Sequence, residues 1–399
     1  MDRHASEVKE PAPALGAELA ARYPVRALVL QGGGALGSYQ AGVYEGLAEA
    51  GVHPNWVAGI SIGSINAAII AGNAPERRAA QLRGFWESIC RQPWWTPAAP
   101  AALPSGAERL PAAWRPWLDA VSSTQSLLHG QNGFFVPRPW QTLPVVPGDP
   151  RGASYYDTRP LRATLERFVD FERINDPTLM RVSVGAVNVR SGNFVYFDNT
   201  ERRLRAEHFM ASGALPPGFP AIEIDGEFYW DGGLVSNTPL QQVLSARPRR
   251  DALIFQVDLW SARGELPRDL LQVAERQKDI QYSSRTRMVT STAHAEQELR
   301  RLLGAALERL PESERQGPWY EHLAAQACNA RRNVIHLIYQ DKPYESYAKD
   351  FQFSLLTMNE HWSSGLADLR ASLRHRQWLE LPSAEQPFVT HDLHRAPPP

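Results

Sequence analysis

An α/β fold with a central, mostly parallel sheet is predicted for this 399-residue chain by two strand-turn-helix units near its start and a buried strand that returns later. Arg26-Ala27-Leu28-Val29-Leu30 runs into a glycine-rich turn and then into helix-forming residues from Tyr39 to Ala50. Trp56-Val57-Ala58-Gly59-Ile60 repeats the pattern, with a helix from Ser64. Ala252 to Leu259 is a third apolar run of strand length. Parallel neighbours need a crossover between them, so this alternation argues for helices packed on a sheet.

The first turn reads Gln31-Gly32-Gly33-Gly34-Ala35-Leu36-Gly37-Ser38. A glycine-rich entry to a helix leaves backbone N–H groups unpaired at the positive end of the helix dipole, and so suits an anion. The spacing also satisfies G-x-G-x-x-G, whose dinucleotide reading requires an acidic residue about 20 residues further on, at the end of the second strand. Ala58-Gly59-Ile60-Ser61 stands there without a carboxylate. The anion expected is therefore the oxyanion of acyl transfer, for which preorganised donors are a large catalytic factor.

The second turn, Gly59-Ile60-Ser61-Ile62-Gly63, is a G-x-S-x-G elbow, in which a sharp strand-to-helix turn lifts a serine hydroxyl clear of the sheet. A third signal is the hairpin Ala221-Ile222-Glu223-Ile224, turn Asp225-Gly226, Glu227-Phe228-Tyr229-Trp230, which delivers Asp231 ahead of Gly232 and Gly233.

These three segments, in this order, resemble the patatin-like phospholipase family. Ala211 to Pro220 is similar to the family's approach to its aspartate, and Asn237-Thr238-Pro239 to the segment just past that aspartate. The resemblance implies a three-layer sandwich with Ser61 as nucleophile and Asp231 as base of a two-residue dyad. It also implies an oxyanion hole from the N–H groups of Gly32, Gly33, Gly34 and Gly37, with Gly59 and Gly63 shaping the elbow and Gly232 and Gly233 the aspartate motif. The family often carries Arg or Lys just before the last glycine of the loop; this chain has Leu36.

Composition narrows the class further. A formal net charge of −1 gives no broad basic field for nucleic acid. Two cysteines, Cys90 and Cys328, lack metal-ligand spacing and are expected as reduced thiols. Residues 1–24 read as a disordered, Ala/Pro/Glu-rich tail without the features of a signal peptide, and no apolar run is long enough to span a bilayer. A cytoplasmic protein, with peripheral contact at a lipid surface allowed, is the expectation.

The catalytic core is expected over residues 25–262. Gly51 is placed as a helix cap, Arg78 to Ile89 as a helix, and Thr158 as the cap of a helix over Leu161 to Val169. Arg181 to Val189 and Asn193 to Asp198 read as a strand pair turning at Ser191-Gly192. Within the core, residues 91–155 form an insertion expected as a lid. Arg91 to Pro150 holds eleven of the 32 prolines and five of the twelve tryptophans (Trp94, Trp95, Trp114, Trp117, Trp140), and is expected to lack long regular elements. Residues 263–399 read as a mostly helical extension, with helices over 269–287, 293–310 and 347–373 and a strand over Val334 to Tyr339. The resemblance here is to a bacterial subgroup with such an extension. Glu296, Glu298, Arg300 and Arg301 are expected on solvated helix faces.

A serine needs a base within reach, and an ionised aspartate can serve without a histidine relay. Burial beside Trp230 and Tyr229 is expected to raise the Asp231 pKa. The competing arrangement is a Ser61, Asp258, histidine triad using His294 or His336; His336 sits in an apolar run and His294 in a charged helix, so the dyad is favoured. The function expected is hydrolysis of lipid carboxylic esters through an acyl-serine, with no metal and no cofactor. A carboxylesterase, thioesterase or hydroxyacid-oligomer hydrolase is the alternative on the same fold, and a non-catalytic lipid-surface protein the alternative from another class.

Overall fold

Residues 15–91, 115–139, 148–283, 286–342, 345 and 348–394 are described by a computed structural model. The chain is ordered where part of a disordered tail is expected. Helix α1 (Leu15–Arg22) buries Leu19 completely, and the Tyr23 hydroxyl beyond it donates to the Glu380 carbonyl at 2.6 Å. Leu15 and Leu19 share one edge of the helix, a stripe too short to stand out in an Ala/Glu-rich stretch. Residues 1–14 lie outside the described set.

Strand β1 (Val25–Leu30) feeds α2 (Gly37–Glu49), and β2 (Trp56–Ile60) feeds α3 (Ile62–Ala71) and then α4 (Arg78–Cys90). Gly51 takes φ 66° just beyond α2, as its capping role requires. In the expected insertion, Trp94, Trp95, Trp114 and Trp140 lie outside the described residues. The segment does hold a long regular element, α5 (Arg115–His129). Pro116 falls in its first turn, where no N–H is needed, and no proline follows until Pro137. Trp117 is on this helix.

A short pair, β3 (Val136–Pro137) and β4 (Tyr156–Asp157), precedes α6 (Arg159–Phe168) and α7 (Phe171–Ile174). Thr158 is the N-cap residue of α6 but makes no side-chain cap; the Asp157 carboxylate instead accepts from the Arg159 N–H at 2.9 Å. Next come β5 (Arg181–Asn188), β6 (Phe194–Asp198), α8 (Ala206–Ser212), the hairpin β7 (Ile222–Ile224) and β8 (Glu227–Asp231), α9 (Leu240–Ser245) and β9 (Ala252–Asp258). The last third contributes α10 (Leu270–Tyr282), α11 (Thr286–Glu308), α12 (Pro318–Gln326), β10 (Arg332–Ile338), α13 (Leu355–Arg374) and β11 (Phe388–Asp392).

The sheet runs β11-β10-β9-β1-β2-β5-β8-β7, with β6 also on β5. The first six are mutually parallel and the rest antiparallel to their neighbours. Alternation along β1 sends Leu28 and Leu30 to a large core under α2, α3 and α13, and Ala27 and Val29 to a smaller core under α9 and α11. Helices therefore cover both faces. Two strands of the C-terminal region, β10 and β11, extend this same sheet. The second is not signalled by sequence, because Phe388-Val389-Thr390-His391-Asp392 is short and half polar. The expected helix over 347–373 begins only at Leu355, where the Ser354 hydroxyl caps it by accepting from the Thr357 N–H at 3.0 Å. Among the described residues no helix is long and apolar enough to cross a membrane.

Helix α13 lies on α2 at backbone contact. A Cβ on Gly42 would fall 1.9 Å from the Trp362 carbonyl oxygen, and one on Gly365 2.0 Å from that of Tyr39. Gly42→Ala should therefore destabilise the protein by about 2 kcal/mol or more through overpacking, although alanine is the better helix former by about 1 kcal/mol. Urea unfolding of the two proteins measures this, and a more stable variant would mean that the helices cross farther apart.

Candidate active site

Strand β5 sets the geometry of the site by sharing one edge between two strands. Its residues 181–185 pair with β2, ending at Ile60 opposite Gly185, and residues 186–188 pair with β8, whose last residue Asp231 lies opposite Ala186. The opposite edge is taken by β6. The ends of β2 and β8 thus meet head to head, bringing Ser61 and Asp231 together across 170 residues of sequence.

Ser61 is the N-cap residue of α3, with φ 53° and ψ −126°. This is a rare conformation for a residue with a side chain, and such strain persists only where the surroundings hold it. The holding contacts are explicit. The Ser61 N–H donates to the Ser212 hydroxyl at 2.9 Å, and the Ser61 carbonyl accepts from the Ser64 N–H and hydroxyl at 2.9 and 2.7 Å. Gly59 and Gly63 allow the turn to close. A Cβ on Gly59 would meet the Gly63 carbonyl oxygen at 2.4 Å, and one on Gly63 the Leu30 carbonyl oxygen at the same distance.

The Ser61 side chain lies beside the Asp231 carboxylate, close enough to act against a rise in its pKa, and both residues line one cavity. Asp231 is buried, and its carboxylate accepts from the Gly233 N–H at 2.7 Å. Burial pushes its pKa up to about 7, against the opposing pull of Gly233 and Ser61. The direction is the expected one, but Trp230 is not a wall of this site: it faces a separate surface cavity beside Pro150 and Val189. Gly232 packs against the Gly185 carbonyl.

Gly32, Gly33 and Gly34 line the same cavity as Ser61 and Asp231. The Gly32 carbonyl is fixed by the Trp260 indole N–H at 2.8 Å and the Asn237 amide at 3.0 Å. Gly34 has φ 56°, and a Cβ there would lie 2.3 Å from the Asp350 carbonyl oxygen. Among the described residues, the N–H groups of Gly33 and Gly34 donate to no protein acceptor. Two of the expected donors stand apart: the Gly32 N–H already donates to the Asn237 carbonyl at 3.3 Å, and Gly37 opens α2, packs on Ile62 and does not line the cavity. Leu36 is wholly buried.

The cavity, of about 690 Å³, is otherwise apolar and aromatic, with Phe134, Phe135, Phe219, Phe351 and Phe353 in its wall. Phe134 and Phe135 come from the expected insertion. Asn237 belongs to the Asn-Thr-Pro segment that sequence singles out, but Trp260, Tyr282 and Asp350 had no signal, since they enter from the region after β9. They are held by buried charge. The Lys278 ammonium bonds Asp350 at 2.5 Å, and fully buried Lys349 bonds Asp279 at 2.8 Å and Asp341 at 2.9 Å. Lys349 thereby fills the one group of carboxylates among the described residues, Glu275, Asp279 and Asp341, that is close enough to share a cation.

The triad alternative does not assemble. His336 Nε2 is 2.6 Å from Asp258 Oδ2, so those two residues do pair, but neither lines the cavity of Ser61. His294 lies on α11 against Phe388.

A family profile described as patatin-like phospholipase matches residues 28–244, more than half of the chain. The chain belongs to the patatin-like phospholipase family. A second profile, described as patatin phospholipase, matches residues 280–385, which includes β10 and α13. Lipid acyl hydrolysis is the activity of the family as a whole. Among solved structures the chain is similar to VipD from Legionella pneumophila, at 14% identity and TM-score 0.37, covering 88% of this chain and 67% of that one. It is also similar to human GIVD cytosolic phospholipase A2, at 14% identity and TM-score 0.33, covering 91% and 63%. A third is ExoU of Pseudomonas aeruginosa, solved in complex with SpcU, at 19% identity and TM-score 0.25, covering 65% and 50%. The chain thus spans about two thirds or less of the length of these proteins. No curated protein matches it.

The electrostatics of the patatin-like site are open to direct measurement. In infrared difference spectra of wild type against Asp231→Asn, the carboxyl band assigned to Asp231 should titrate near pH 7. A midpoint near the unperturbed value of about 4 would show that water reaches the group.

Proposed function

We propose that this chain is a serine hydrolase of lipid carboxylic esters in which Ser61 is the nucleophile and Asp231 the general base. The observation that carries the reading is the meeting of Ser61, in its strained elbow, with a buried carboxylate at one end of an apolar cavity bordered by unpaired loop amides.

In the acylation step, ionised Asp231 accepts the hydroxyl proton as Ser61 Oγ attacks the ester carbonyl carbon. The N–H groups of Gly33 and Gly34 receive the oxyanion. Collapse expels the alcohol, which takes the proton from Asp231, and leaves acyl-Ser61. Water then attacks the acyl carbon while Asp231 accepts its proton. Collapse of the second tetrahedral intermediate returns the proton to Ser61 and releases the acid. A pKa near 7 suits this traffic, because the carboxylate is ionised often enough to act and basic enough to pull.

The aromatic cavity wall favours a long acyl chain over a short one, and the 91–155 insertion, which supplies Phe134 and Phe135, is read as a lid on that side. Buried Leu36 removes a cation from the loop, so the acyl portion rather than a phosphate is the feature recognised beside the amides.

A fluorophosphonate probe should label wild type at Ser61 and leave Ser61→Ala unlabelled. Asp231→Asn should stay folded and lose at least about a hundredfold in kcat, whereas His294→Ala and folded His336→Ala keep most of it. A histidine variant as inactive as Asp231→Asn would restore the triad.

The pH dependence follows from the same carboxyl group. Only ionised Asp231 can accept the proton, so kcat/KM should rise with pH through an inflection near 7 and level off above it. A profile already flat at pH 5 would remove Asp231 from the role of base.

A further inference from the structure

At the other end of the sheet lies a polar cavity that the proposed chemistry does not use. Three parallel strands begin beside it, at Ala252, Arg332 and Phe388, so it sits at their amino ends, whereas Ser61 follows the carboxyl end of β2. Its volume is about 660 Å³, and four guanidiniums line it: Arg247 and Arg249 from the α9–β9 connection, Arg300 from α11 and Arg332 from β10. Glu296 is the single carboxylate in the lining, and its nearest arginine is Arg300, at 3.6 Å. Four positive groups against one negative leave a formal surplus of three charges.

Two of the four guanidiniums are held in place. Arg332 is only 4% exposed, and its Nη1 donates to the carbonyls of Arg250 and Arg331, which fixes the guanidinium fork but brings no counter-charge. Arg300 is fixed by the Gln326 carbonyl at 3.2 Å. Among the described residues no carboxylate is in ion-pair contact with Arg247, Arg249 or Arg332. Burial, and after it the like charges of Arg300 and Arg247, hold Arg249 below its usual pKa against the weaker opposing pull of Cys328 and Glu296. Glu298 and Arg301 pair with each other and Glu296 is exposed at the cavity rim, as a solvated helix face predicts, but Arg300 turns into the cavity.

We propose that this cavity is a binding site for a phosphate-bearing anion, either a free phosphorylated small molecule or the phosphorylated head group of a lipid. Forked guanidiniums match phosphate oxygens in pairs, and three surplus charges call for a multivalent anion rather than a carboxylate or chloride. Leu244 and Phe388 supply an apolar side for the carbon skeleton attached to the phosphate. The anion would join the α9–β9 connection to α11 and β10, and its binding is independent of Ser61.

Sodium pyrophosphate titrated into the full chain at constant ionic strength, followed by calorimetry and thermal unfolding, tests the free source. Co-sedimentation with phosphatidylcholine vesicles, with and without phosphatidylinositol bisphosphate, tests the lipid source. Saturable pyrophosphate binding that raises the unfolding temperature, weakened at least about tenfold in Arg247→Gln/Arg249→Gln and unchanged in Ser61→Ala and in the exposed control Arg190→Gln, supports the site with a free ligand. Sedimentation only with the phosphoinositide vesicles, lost in the same double variant, supports it with a head group. Binding in neither arm, or binding equal in wild type and double variant, overturns the proposal. Arg332 is left intact because its burial makes it the arginine whose loss would disturb the fold.

Discussion

One edge of β5 is divided between β2 and β8, and the candidate site depends on that division. A parallel strand and an antiparallel strand placed end to end on one neighbour bring a carboxyl end against a carboxyl end, as no single hairpin or βαβ unit would. The turn after Ile60 then has no room to continue as strand and must bend sharply into α3, which forces Ser61 to φ 53°. Strain at Ser61, burial at Asp231 and the nearness of their side chains are consequences of the same pairing. A register slip of one residue in β8 would turn Asp231 to the other face, where Trp230 now lies.

The glycine loop is placed by different forces. Gln31, fully buried after β1, accepts from the N–H groups of Leu259 and Trp260 and donates to Thr238 and to the Tyr282 carbonyl, so one side chain ties β1, β9 and the end of α10 together. Gly34 is pressed from outside by the Asp350 backbone, whose position depends on Lys278 and on the buried Lys349 cluster. A buried ammonium is costly alone and tolerable only with its carboxylates in place, so the cluster behaves as a unit. The region after β9 is therefore part of the loop's support, since it completes the cavity wall and adds two strands to the sheet.

Much of this was legible in sequence, for identifiable reasons. The elbow, the glycine loop and the aspartate hairpin are local, and glycine spacing and turn chemistry reveal them without any knowledge of the fold. Helix α1 and strand β11 were not legible, because each is short and gains its apolar partners only in tertiary structure, Leu19 in the main core and Phe388 beside Val334. Helix α5 was hidden by the average proline content of its surroundings, although a proline-free stretch follows Pro116. Asp350 and Trp260 were invisible because their role lies in touching glycines more than 200 residues away.

The two ends of the sheet manage charge in opposite ways. At the carboxyl ends the Asp231 carboxylate is buried in an aromatic cavity with no cation bonded to it, and its pKa rises until it can exchange protons near neutrality. At the amino ends several guanidiniums are gathered, and arginine cannot relieve its burial by losing a proton at accessible pH. The first arrangement resolves itself by titration and so suits proton transfer. The second keeps its charge and so suits a counter-ion from outside, which is why the same physics that points to a base at Asp231 points to a bound anion among Arg247, Arg249, Arg300 and Arg332.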